Sequence, residues 1–165
     1  MSQPPTPGEA PRLSLTWWVR PPARPAPAPV VVTGVFDVLH AGHVRFLTWA
    51  RARARPLLVG LEADARVQHW KGPGRPLNPL ALRAEVMAAL RPVDGVFLID
   101  GPPEATAPED YVTLLAGLGP AALAFTAGDP HTGAKRQGAA ALGIEAWEFP
   151  TQAGLSTSAV VERLR

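Results

Sequence analysis

The segment Thr33-Gly34-Val35-Phe36-Asp37-Val38-Leu39-His40-Ala41-Gly42-His43 joins an apolar run to a helical pattern and concentrates residues suited to chemistry. His40 and His43 stand three apart with Gly42 between them. Free amides and a partial positive charge at a helix start favour a phosphate. A glycine there lets the backbone approach the ligand closely. Two imidazoles at that place can donate hydrogen bonds to phosphate oxygens as charge develops during displacement at phosphorus. Wheel positions put His43 on the stripe of Leu47 and Ala50, toward the sheet. Two other readings stay open. The histidines could be satisfied groups at a helix start, or Asp37, His40 and His43 could ligate a metal, although no further His or Cys lies nearby.

Arg83 shares its helical arc with Leu82, Val86, Met87 and Leu90, so it projects from a buried face. It sits near the helix N-terminus, where the dipole opposes a cation. Such an arginine needs an anionic partner: a phosphate, Asp94 or Glu85. Ser156, Thr157 and Ser158 supply amides and hydroxyls at another helix start, suited to a phosphate or simply to capping. His131 falls in a ligand-facing loop after Gly128-Asp129-Pro130, or in solvent; His69 reads as structural.

These residues need a frame to position them. Five short apolar runs punctuate the chain: Val30–Val35, Leu57–Leu61, Val96–Ile99, Ala121–Ala127 and Ile144–Phe149. Helical patterns fill the gaps. One runs from His43 to Arg55. Another is opened by Asn78-Pro79 and continues to Leu90, and a third is opened by a Thr106-x-x-Glu109 capping box. The last two are Lys135–Leu142 and a final helix capped by Ser156. Continuous apolar runs alternating with helices predict an α/β fold: a Rossmann-like, doubly wound parallel sheet of about five strands in three α/β/α layers. Ligands in such sheets bind outside the carboxyl ends of the strands, which here means loops 34–42, 62–78, 100–107, 128–134 and 150–157.

The chain has 165 residues, 47% of them hydrophobic and 18% charged, which suits one globular domain. Nine of its 20 prolines lie in the first 29 residues. Residues 1–29 are therefore expected to be a flexible arm and residues 30–165 the folded unit. Of the formal charge of +2, all is carried by the arm's Arg12, Arg20 and Arg24 against Glu9, which disfavours nucleic acid as a partner. Without cysteine there is no disulfide, thiol nucleophile or cysteine-ligated zinc. The stretch Leu13–Val19 is too short and polar for a membrane span or signal core, so a cytoplasmic protein is expected. Trp17-Trp18 is read as a docking element against the domain or a neighbouring subunit.

The motif G-x-F-D-x-x-H-x-G-H resembles the signature of the HxGH cytidylyltransferase-like nucleotidyltransferases. Lys71-Gly72 with Arg75-Pro76-Leu77-Asn78 and Arg83, then Val93-Asp94, Gly128-Asp129 and Gly154-Leu155-Ser156-Thr157-Ser158, follow in the family's order across residues 30–165. The Lys71–Arg83 segment is most similar to the nucleotidyltransferase domain of ADP-heptose synthase-type proteins. The resemblance implies transfer of a nucleoside monophosphate from an NTP, ATP being favoured over CTP, to a phosphorylated sugar or polyol, with pyrophosphate leaving. It implies Mg2+ with the triphosphate and a homodimer; any acceptor kinase is expected to be another chain. Alternatives are a glycerol- or ethanolamine-phosphate cytidylyltransferase, or a non-catalytic nucleotide-binding protein.

By the same resemblance, His40 and His43 contact the triphosphate and stabilise the transition state, and Lys71 neutralises phosphate charge in a closed state. The bland reading of Lys71 is a solvated loop lysine. Gly34, Val35, Phe36, Asp37, Gly42, Arg83, Gly128, Asp129, Ser156, Thr157 and Ser158 would surround the nucleotide. Val35 replaces the usual polar or small residue before Phe-Asp, and Thr151-Gln152-Ala153 lacks the basic residue of glycerol-phosphate cytidylyltransferases. That second departure favours an adenylyl-transferring relative.

Overall fold

A computed structural model describes residues 12–23, 27–53 and 56–164. Expectations for residues 1–11 and 24–26 of the arm, and for the helix end at 54–55, lie outside the described residues. The strands are β1 (Ser14–Val19), β2 (Val30–Gly34), β3 (Leu57–Glu62), β4 (Gly95–Asp100), β5 (Ala122–Thr126) and β6 (Glu145–Phe149). The helices are α1 (Ala41–Arg53), α2 (Asp64–Lys71), α3 (Leu80–Ala88), α4 (Pro108–Ala116), α5 (Thr132–Leu142) and α6 (Thr157–Glu162). One six-stranded sheet runs β1-β4-β3-β2-β5-β6, parallel except for β1. This is the Rossmann-like α/β architecture.

The apolar runs become strands because both sheet faces are covered. Side chains alternate across the pleat. Val30, Val32, Val59 and Leu61 pack with Phe46, Leu47, Ala84 and Met87 on one face, while Val31, Leu58, Phe97 and Ile99 pack with Leu115 and Ala139 on the other. All six residues of β3 are buried, as befits an interior parallel strand.

The expectation that the arm extends to residue 29 is corrected at its centre. Ser14–Val19 pairs antiparallel with β4 and supplies a sixth strand. Leu15 and Trp17 are half-buried while Ser14 and Thr16 are exposed, a period of two hidden by the flanking prolines. Leu13, 1% exposed, joins the second core, and the Trp17 and Phe97 rings meet edge to face at 5.8 Å. Trp18 stays exposed at a bulge on this sheet edge.

Local starts and stops differ from expectation in three places. α2 occupies part of the stretch expected as a loop, because the side chains it buries are Arg66 and Val67 rather than an apolar stripe. α3 begins at Leu80, where the Leu80 amide donates to Asp64 Oδ2 at 3.1 Å, so Asp64 caps it in place of Asn78. α4 begins at Pro108, and the Asp110 carboxylate accepts the Ala107 amide at 3.2 Å, one residue beyond the expected box. Ser156 does cap α6, its Oγ accepting from the Ala159 amide at 3.1 Å.

Leu13→Ala should cost about 2–5 kcal/mol, the range for emptying a buried leucine site. Urea denaturation measures it. An unchanged midpoint would mean that residues 13–19 are not part of the folded core.

Candidate active site

The site arises where the sheet splits. β2 pairs with β3 over five positions, from Val30↔Leu57 to Gly34↔Leu61, but with β5 only at Val30↔Ala122 and Val31↔Leu123. Beyond them the strands part, at the switch point of the topology. A cavity of about 920 Å3 opens there, lined by His40, His43, Lys71, Asp129, Ser156 and Thr157 among others. Lys135 fills the foot of the split, its Nζ donating to the Thr33 carbonyl at 2.9 Å and to Asp129 Oδ2 at 2.5 Å.

The histidines are oriented by backbone. Gly42 N–H donates to His40 Nδ1 at 3.1 Å, and His40 N–H donates to His43 Nδ1 at 3.3 Å. A nitrogen that accepts carries no proton, so both neutral rings hold their proton on Nε2. The rings stack at 3.9 Å. Burial, then the charges of His40 and Lys71, lower the His43 pKa to about 4, and burial lowers that of His40. The pair is thus neutral at pH 7, with two Nε2–H donors. Gly42 is required: a Cβ there would lie 2.8 Å from His40 Cε1. Gly34 likewise leaves room for Phe36, whose backbone is left-handed (φ 50°) and whose ring lies 5.4 Å from that of His43.

Two expected nucleotide ligands already have protein partners, although Asp37 also lines the cavity. Asp37, 6% exposed, accepts the amides of Leu77 at 2.7 Å and Asn78 at 2.8 Å, with Arg75 Nε 3.3 Å away. Its carboxylate is occupied, which removes the proposed Asp37–His40–His43 metal set. Arg83 is enclosed, lies off the cavity wall, and pairs with neither Asp94 nor Glu85. It donates to the carbonyls of Asn78, Val35 and Glu62 at 3.0, 2.7 and 2.9 Å, and to Asp64 Oδ1 at 2.6 Å. Arg83 therefore anchors the loops that carry the site.

Lys71 closes the last turn of α2 and lines the cavity, on a helix rather than the expected loop. Partial burial and the neighbouring Arg75 and Arg83 lower its pKa against the pull of Asp37 and Asp129. Gly34, Val35, Phe36, Gly42 and Gly128 reach the wall with it. Asp129 is held by the His131 amide at 2.7 Å and by Lys135. Thr157 Oγ1 donates to the Val38 carbonyl at 3.4 Å, tying α6 to the histidine loop. Ser158 is exposed and absent from the wall.

One cluster on this wall escaped the sequence reading. Glu62 accepts Arg66 Nε at 2.8 Å and the Tyr111 hydroxyl at 2.6 Å, and Arg66 also donates to Tyr111 at 3.0 Å. Burial and Glu62 push the Tyr111 pKa far up, and Glu62 with Tyr111 raises that of Arg66 against its burial. Glu62 and Arg66 are four residues apart, but Tyr111 lies 49 residues from Glu62, so no local pattern announces the cluster.

Residues 31–104 match the family model described as cytidylyltransferase-like. The chain is thus similar to cytidylyltransferase-like proteins over the stretch that carries the histidine loop, Lys71 and Arg83. Its relatives are more particular. The bifunctional protein HldE of Hyphomonas neptunium is 40% identical over 133 residues, 79% of this chain and 26% of that protein. The protein of the same name from Nitrobacter winogradskyi is 52% identical over 67 residues, covering 41% and 14%. The chain thus spans about a quarter or less of these curated relatives. The crystal structure of the lipopolysaccharide core biosynthesis protein from Thermoplasma volcanium shares the fold, with a TM-score of 0.59 at 21% identity over 76% of this chain and 96% of that one. Among the described residues no helix is long and apolar enough to cross a membrane.

The His43 pKa yields a signed prediction. The unfolded chain takes up a proton near pH 6.5 that folded His43 refuses until about pH 4, so stability is full above 6.5 and falls between those values. His43→Asn should flatten this fall, by up to ~1.4 kcal/mol per pH unit between pH 6.5 and 5. Denaturation at a series of pH values compares the slopes; equal slopes would contradict a buried neutral His43.

Proposed function

We propose that the chain transfers a nucleoside monophosphate from an NTP, with ATP favoured over CTP, to a phosphorylated sugar or polyol. The observation that carries this reading is the stacked, neutral His40–His43 pair, presenting two Nε2–H donors beside Lys71 in the split of the sheet. An oxygen of the acceptor phosphate attacks the α-phosphorus, the bond to the bridging oxygen breaks, and pyrophosphate leaves with that electron pair. The nucleophile is already an anion at neutral pH, so no proton has to be removed. Donors fixed before the reaction stabilise the charge that gathers on the phosphoryl oxygens. Lys71 adds a positive charge at the same wall.

Magnesium fits this wall as a companion of the triphosphate, where it would offset charge and orient oxygens. Among the described residues no group of three or more histidines and carboxylates is placed to cage the ion, so the triphosphate's own oxygens would hold it. The likeness to part of the HldE proteins supports a nucleotide-activated sugar as the product class. A cytoplasmic homodimer belongs to the same reading. Gly128, Asp129, Ser156 and Thr157 would meet the nucleotide.

Pyrophosphate release from ATP, CTP, GTP and UTP against a panel of sugar and polyol phosphates tests the proposal. Release should be fastest with ATP and a sugar phosphate. His40→Ala and His43→Ala should each lower turnover about 100-fold, the scale of losing a transition-state donor. Release with no pairing, or near-wild-type turnover in both variants, would overturn it.

A further inference from the structure

The cavity extends beyond the histidine pair. One part of the lining comes from Phe149–Thr157 and the start of α6; another comes from the end of β3 and from α2 and α4, with Glu62, Trp70 and Tyr111. The second part is an unusual wall for a site that takes phosphates. Glu62 is 4% exposed yet faces the cavity as a carboxylate held by Arg66 and Tyr111. A carboxylate can accept about four hydrogen bonds, and these partners use two. The Tyr111 hydroxyl donates to Glu62, accepts from Arg66, and keeps a further lone pair. Spare acceptors so placed repel a phosphate, and an apolar chain would leave them unpaired. Hydroxyl donors satisfy them.

Trp70 completes the wall. Its Nε1–H donates to the Pro103 carbonyl at 2.9 Å, and the Arg66 guanidinium lies 4.7 Å from the ring centre. A fixed indole beside aligned acceptors suits a ring with C–H groups on one face and hydroxyls at its edge. Resting on the reaction proposed above, we infer that Glu62, Tyr111 and Trp70 form the subsite for the acceptor's carbon skeleton. Glu62 is its specificity-determining residue, selecting phosphate esters with several hydroxyls over hydroxyl-free ones. The competing role is a brace between α2, β3 and α4, which would affect every acceptor alike.

The test compares kcat/KM for a hexose 1-phosphate with that for ethyl phosphate, using the nucleotide the wild type accepts. The wild type should prefer the hexose phosphate more than tenfold. Glu62→Gln should cut this preference at least tenfold, through a higher KM for the hexose phosphate with the nucleotide KM unchanged. Because that variant strips a buried arginine of its counter-charge, Trp70→Leu, at a half-buried position, provides a second reading and should cut the preference in the same way. The inference is overturned if soluble variants keep the wild-type ratio, if ethyl phosphate serves the wild type equally well, or if the nucleotide KM rises instead. Should the wild type release no pyrophosphate with any acceptor, the reaction itself is wrong and the subsite falls with it.

Discussion

Two buried charges of opposite sign, Asp37 and Arg83, hold the loop on which the histidine pair stands. Asp37 draws in the amides of Leu77 and Asn78, while Arg83 gathers the carbonyls of Val35, Asn78 and Glu62 and the carboxylate of Asp64. The loop after β2, the end of β3 and the approach to α3 are thereby tied at one place. Removing either would leave buried backbone amides or carbonyls without a partner, at about 1–3 kcal/mol each. The site is rigid where its charges are buried.

The chemistry follows from that rigidity. With the loop fixed, Gly42 brings its amide to His40 Nδ1, and the His40 amide reaches His43 Nδ1. The backbone thus sets the tautomer of both rings, and their stacking and burial keep them uncharged. A neutral donor suits the proposed reaction, in which a highly charged substrate enters and a charged product leaves. Electrostatic attraction is left to Lys71 and the helix starts. The short β2–β5 pairing opens the cavity without breaking the sheet elsewhere.

How much of this was legible depended on whether the signal was local. The five parallel strands announce themselves as apolar runs, and His40-x-Gly42-His43 sits at a strand-to-helix junction that implies a phosphate. Arg83 is buried as its position suggests, but its arc companions Leu82 and Val86 are exposed, and its carbonyl partners come from Val35 and Glu62, 48 and 21 residues away. Asp37 looked like a ligand because its partners, the amides of Leu77 and Asn78, are invisible in a sequence. The helix Asp64–Lys71 lacked apolar periodicity because its buried face is built on Arg66, satisfied by Glu62, Tyr111 and two carbonyls. The strand Ser14–Val19 was masked by prolines on both sides, although Leu15 and Trp17 already alternate with polar residues.

The central claim is that backbone amides hold His40 and His43 as neutral rings protonated on Nε2. Nitrogen NMR of the histidine-labelled protein at pH 7, with single-histidine variants for assignment, reports which ring nitrogen carries the proton. Both rings should show an unprotonated Nδ1 and a protonated Nε2, and His43 should keep that pattern well below pH 6. An imidazolium at pH 7, or a proton on Nδ1 of either ring, would contradict the account.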